Sequence, residues 1–268
     1  MKIIHFIVLL LALLFSPAFA TVALDGHASN FNNGGGTTGT VTLTTTANDL
    51  VVVCASLYGN TSTVPTVSSI SSSHLSSGSW TKRSSVSGLY VSGNGADLEC
   101  WWAHAASALS AEVITVTGTG ASDTMSIFAL AFSGANTSSP FDGNVSLPAT
   151  NSNLTATSSD VTLSSVSTTS AAGMLFSAFT SLANISGLLP LAAPTNFTNL
   201  DTVSGSGSST YNDGQDATFS YAAAQSSITI SYGGGVSPSP RWLAVADAIV
   251  PSGAVASPPT RTLLGVGK

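Results

Sequence analysis

Apolar and polar residues alternate with a period of two along most of this chain, in runs of seven to twelve residues. Val, Ile, Thr and aromatic residues fill the runs, and Gly, Asn, Asp, Ser and Pro separate them, which is the pattern of half-buried strands punctuated by turns. The first half predicts strands over 21–28, 39–46, 49–58, 80–86, 97–106, 112–119 and 125–135. No window of helical length carries a 3.6-residue apolar face, so the chain reads as all-β.

The second half repeats the first. Residues 49–58 match 172–182, 80–88 correspond to 197–205, and 97–105 lie over 216–224. Likewise 112–120 match 226–235, and 128–135 match 243–250. The offset drifts only between about 114 and 123 residues, as differing loop lengths would cause. Asn94-Gly95 and Asp213-Gly214 precede the same strand in each copy, and such dipeptides supply the positive φ angles of tight hairpins. The expected architecture is two tandem β-sandwiches of jelly-roll or Greek-key type, over 21–137 and 138–250. One larger sandwich, with both halves contributing to both sheets, is the alternative. Residues 251–268 form a Pro/Ser/Ala-rich linker and tail, either unstructured or docked onto a partner.

Residues 1–20 stand apart. Lys2, an apolar run from Ile3 to Phe15, and Ala18-Phe19-Ala20 have the layout of a cleavable signal peptide. No later stretch is long and apolar enough to span a bilayer as a helix, so the expectation is an exported protein, extracellular or at the cell surface. Two cysteines in such a chain, Cys54 and Cys100, are candidates for a disulfide, with two buried thiols as the alternative.

Charged residues make up only 7% of the chain, against about 25% in an average soluble domain, so hydroxyls and amides must carry solubility. Without Lys2, five basic residues face twelve acidic ones, which argues against nucleic acid and against an anionic membrane surface. The partners left are glycans or protein surfaces, including further copies in an oligomer or larger assembly.

The densest chemistry is DLECWWAHAA, residues 97–106. The matching strand of the second copy places Phe219 and Tyr221 on one face, so Leu98, Cys100 and Trp102 are expected to face the core. Glu99 and Trp101 then point outward, and the second copy has Thr218 and Ser220 in their place. An outward Trp can stack on a sugar ring while a nearby carboxylate accepts hydroxyl hydrogen bonds. Trp80, Lys82 and Arg83 on the preceding strand would complete such a ligand patch. Equally, Trp101 could cover a contact between domains. Asp97 has the counterpart Asp216, and both are expected at hairpin turns.

Catalytic signals are few. No G-x-S-x-G elbow and no zinc spacing appears, and His27, His74 and His104 are isolated in sequence. Asp97 and Glu99 share a face, a weak signal for glycoside chemistry, which needs two separated carboxyls. Residues 212–216 hold calcium-type oxygen ligands but lack an EF-hand loop, and a turn accounts for them; no cofactor or metal is expected.

The runs NDLVVV (48–53), WTKR (80–83), LECWWA (98–103), ITVT (114–117), FSGANTSSPFD (132–142), VSGSG (203–207) and WLAVADAIV (242–250) resemble two-repeat β-sandwich proteins of bacterial exported and phage or prophage virion, tail-associated type. That resemblance implies a structural or surface-binding role and brings no catalytic residue with it. A cleavable leader is unusual in a virion protein and shifts the expectation toward secretion. The functional expectation is a non-enzymatic, surface-binding or structural protein with glycans as the leading ligand class; the alternatives are a virion accessory protein and a polysaccharide-active hydrolase.

Overall fold

A computed structural model describes residues 21–253 apart from 34, 47, 76–79, 91–92, 121–122, 155–159, 184, 186, 206–211 and 234–240. The expected leader and residues 254–268 of the tail lie outside the described residues. Everything regular among the described residues is strand.

The first half holds β1 (Ala23–Asn32), β2 (Thr38–Thr45), β3 (Asp49–Gly59), β4 (Val67–Ser71), β5 (Thr81–Tyr90), β6 (Asn94–Ala105), β7 (Leu109–Gly118) and β8 (Thr124–Ser133). The second holds β9 (Ala149–Asn153), β10 (Val161–Val166), β11 (Met174–Ser181), β12 (Thr198–Val203), β13 (Asp213–Ser220), β14 (Ile228–Tyr232) and β15 (Trp242–Ile249). Strands β4, β9 and β10 are the elements that the sequence pattern misses; β4 (VSSIS) has only two apolar positions and β9 (ATNSN) only one.

Four sheets form: β1-β8-β3-β6-β5, β2-β7-β4, β12-β13-β11-β15-β9 and β10-β14. Matching strands by sequence repeat, β9-β15-β11-β13-β12 has the same order as β1-β8-β3-β6-β5, and β10-β14 the same as β2-β7. No sheet among the described residues mixes strands of the two halves.

The layers follow from the alternation within the central strands. On β3, Val51, Val53, Ala55 and Leu57 pack toward Val41, Leu43, Ile114 and Val116 of the three-stranded sheet. Leu50, Val52 and Cys54 instead meet Phe176, Ala178, Leu243 and Val245 of the other half. On the far side, Leu175, Phe179, Ala244 and Ala246 cover Val161, Leu163, Ile230 and Tyr232. The two five-stranded sheets are therefore inner layers packed face to face, each covered on its outer face by a smaller sheet. All eleven residues of β3 and all eight of β11 and β15 are buried for this reason. Such strands read as continuous apolar runs rather than as amphipathic ones.

Polar groups also fix how the halves meet. Ser56 Oγ donates to Asn212 Oδ1 at 2.6 Å, Asn212 Nδ2 donates to the Ser56 carbonyl at 2.8 Å, and Thr180 Oγ1 donates to Ser56 Oγ at 2.9 Å. Ser126 Oγ closes the cluster onto the Asn212 carbonyl. A buried cluster with its members mutually bonded sets one register between two otherwise apolar faces. Gly214 belongs to the same contact: a Cβ there would sit 2.4 Å from the Phe179 carbonyl and 3.1 Å from the Phe128 ring of the other half.

Cys54 and Cys100 are directly opposed on β3 and β6 and joined as a disulfide. It closes a 46-residue span, and a Cys54→Ala/Cys100→Ala variant is expected to lose about 3 kcal/mol of stability in urea unfolding. An unchanged midpoint would show that strand pairing alone holds β6.

Candidate functional site

The strand carrying DLECWWAHAA is β6, the fourth of the five in its sheet, with β5 as the edge beyond it. Leu98, Cys100 and Trp102 do belong to one apolar cluster, but it is the cluster between the two halves. Trp102 packs edge-on to Phe141 across that contact.

Glu99 does not point into solvent. Its side chain is 0% exposed, because the face it shares with Trp101 is turned toward the three-stranded sheet rather than outward. The sequence pattern placed it outside because one face of a sandwich sheet is ordinarily wet, and here neither is. Trp101 is half-buried, and its Nε1 donates to Glu99 Oε2 at 2.7 Å. Lys82 Nζ lies 2.8 Å from Glu99 Oε1 and 5.2 Å from the centre of the Trp101 ring. Asp97, also fully buried, lies two residues from Glu99 on the same face of β6 and accepts from Ser85 Oγ at 3.1 Å. It is therefore a strand residue in an acid pair and not a turn residue. Burial, then Glu99, push its carboxyl up to about 8, against the smaller pull of Ser85 and Lys82.

Arg83 leaves this group. Arg83 follows Lys82 on β5, so strand alternation points it to the opposite face, where the pairing with β6 also shifts between Lys82 and Ser84. There its Nε donates to Asp247 Oδ2 of the other half at 2.6 Å, with the guanidinium 4.5 Å above the Phe141 ring. Trp80 packs against the core on the Trp101 side. Of the five residues expected to form one patch, Glu99, Trp101 and Lys82 come together, Trp80 stands nearby, and Arg83 belongs to the contact between halves.

Two of the three described histidines have side-chain partners, whereas the buried Nε2 of His104 has none. His27 Nδ1 meets Asp201 Oδ2 at 2.9 Å across the two halves, and the Asp201 amide donates to Asp216 Oδ1 at 2.8 Å. Beside them, between β1 and β12–β13, an open cleft of about 570 Å³ runs along Leu24, Leu200, Thr218 and Phe219. It arises from stacking one half on the other, so no local motif could reveal it. His74 Nδ1 contacts both Ser73 Oγ and Glu112, and Glu112 also accepts the amides of Ser73 and His74 at 2.6 and 2.9 Å. A Ser-His-acid relay needs the serine and the acid on opposite ring nitrogens, so this is a loop fastened to a buried carboxylate.

Residues 212–216 use their oxygens internally. Asp213 accepts the amides of Ile185 at 2.7 Å and Gly205 at 3.0 Å, and Gln215 accepts that of Leu191 at 2.8 Å. No group of three or more metal-binding side chains occurs among the described residues.

Outward, the three-stranded sheet carries Thr38, Thr40 and Thr42 on β2, with alternate residues buried. Thr117 and Thr115 of β7 stand opposite Thr38 and Thr40, and Ser69 and Ser71 of β4 extend the same two rows. The outer two-stranded sheet repeats the theme, with Thr162 paired to Ser231. No family model, curated protein or solved structure matches this chain.

Proposed function

We propose that this is an exported, non-enzymatic protein built of two tandem sandwich units, which binds an uncharged, hydroxyl-rich surface, with glycans as the ligand class. The observation that carries the reading is the aligned hydroxyl array on the outer three-stranded sheet. Rows Thr38–Thr117–Ser69 and Thr40–Thr115–Ser71 repeat at about 4.8 Å between strands, and same-side positions along a strand lie about 7 Å apart. Such a face offers donors and acceptors at regular intervals and no charge, which suits a polysaccharide rather than an ionic partner. Export agrees with the Cys54–Cys100 disulfide and with a described chain containing no helix long and apolar enough to cross a membrane. Hydrolysis has less support. Its two carboxyls must stand about 5–10 Å apart and reach the substrate, whereas Asp97 and Glu99 are both fully buried beneath the surface.

Pull-down on insoluble polysaccharides together with a glycan array tests the reading. Thr40→Glu and Thr115→Glu place a charge in the middle of the array and are expected to weaken binding at least about tenfold. Loss of binding in Trp101→Ala, with both threonine variants unaffected, would move the site to the β5–β6 edge. No binding to any polysaccharide would overturn the glycan assignment in favour of a purely structural role, as in a virion or surface layer.

A further inference from the structure

We propose that Lys82 and Glu99 condense to an amide cross-link between the edge strand β5 and β6, with Asp97 as the proton carrier and the Trp101 indole N–H as the donor to the developing oxyanion. Each part of that reaction has a group already in place. The amine is 2.8 Å from a carboxyl oxygen, so the two reacting groups are already held together by paired strands. The carboxyl is fully buried, so water does not compete at that carbon. Trp101 Nε1 holds Oε2 at 2.7 Å, the oxygen on which negative charge develops when the carbon becomes tetrahedral. Asp97 stands two residues from Glu99 on the same buried face of β6 and, with its carboxyl raised to about 8 by burial and by Glu99, still carries a proton at neutral pH.

The step balances without a co-reactant. Within the ion pair one proton passes from the Lys82 ammonium to the Glu99 carboxylate, leaving an amine and an acid. The Nζ–Cδ bond forms, Asp97 delivers its proton to Oε1, the Cδ–Oε1 bond breaks, and water leaves along the half-exposed Lys82 stem. A proton from the nitrogen returns to Asp97, and nothing is oxidised or reduced.

Two features of the chain distinguish this place from an ordinary surface ion pair. Lys82 is the only lysine between residues 21 and 253, and it stands against a buried acid pair that also has an indole donor. Moreover, Glu99 adjoins Cys100, whose disulfide fastens β6 to β3. Strand β5 is the edge strand next to β6, and the disulfide does not reach it. A bond from Glu99 to Lys82 would join β5, β6 and β3 covalently in series.

Intact mass spectrometry of the reduced, full-length purified protein decides the matter. The expected mass is one water below that of the sequence as processed, with a digest yielding a branched peptide containing Lys82 and Glu99. Lys82→Arg is expected to show its full mass, and Asp97→Ala to show a large loss of the linked species. Wild-type protein at full mass with unlinked Lys82 and Glu99 peptides overturns the proposal, whether or not any variant folds. Complete linkage in Asp97→Ala would overturn the part given to Asp97.

Discussion

Arg83→Ala is expected to destabilise the fold by about 4 kcal/mol at pH 8, read as a shift of the urea midpoint at unchanged slope. The guanidinium is the partner of a carboxylate that is 0% exposed between the two halves. Burial raises Asp247, and the hydrogen bond and charge of Arg83 and the Ala248 amide pull it down against the nearby charge of Asp142, leaving it at about 6. Without Arg83, Asp247 keeps only the Ala248 amide against Asp142. A stranded buried charge costs far more than the net gain of the pair, which is why one-sided deletion is severe. The pH dependence identifies the mechanism. At pH 5 the stranded Asp247 takes up a proton, and the cost is expected to fall to about 2 kcal/mol. Arg83→Ala/Asp247→Asn should recover most of the loss at pH 8. An equal penalty at both pH values would mean that Arg83 acts through its contact with Phe141.

The second large effect is the stability of the wild-type protein between pH 5 and pH 9. Eight of the twelve acidic residues are buried, and the described residues include only one lysine and two arginines, Lys82, Arg83 and Arg241. Several carboxyls are consequently held by protons or by one another. Burial, reinforced by Asp25, lifts Asp49 to about 7; Asp97 stands at about 8 and Asp247 at about 6. Asp216 is raised well above its ordinary value by burial and then by Asp201. A carboxyl raised on folding binds more protons in the native than in the unfolded state. Its stabilising contribution is complete below the unfolded value near 4 and disappears as pH climbs through the folded one.

Other acids act in the opposite direction. Hydrogen bonds from the Thr46 backbone and from Asp49 lower Asp25. Burial raises Glu112 and Asp142, but hydrogen bonds from His74 and Ser73, and from Thr169 and Ser170, outweigh it. These three contribute above pH 4 and are lost below it. Stability should therefore peak at about pH 4–6 and fall by about 4 kcal/mol toward pH 9, a drop in Tm of roughly 10 °C by calorimetry. A plateau from pH 5 to 9 would show that the buried acids ionise without strain.

Much of this molecule is determined by local sequence alone. The period-two runs, turn dipeptides and repeat determine where most strands begin and end, and that the halves share one strand order. They also make Cys54 and Cys100 candidates, and the partnership of Lys82, Glu99 and Trp101 is legible because two adjacent strands carry it. What the tertiary structure decides is which faces are dry. Period two divides a strand into two sides but is silent on what covers each, and stacking the five-stranded sheets buries both. That stacking puts Leu98 and Cys100 against the other half and brings Asp247 to Arg83 and Asp201 to His27, while the three-stranded sheet on the outer face takes Glu99 out of solvent. Residues more than 160 positions apart become ion-pair partners, Arg83 with Asp247 and His27 with Asp201. Burial depends on what lies above and below a sheet, and that information is not contained in any single run of residues.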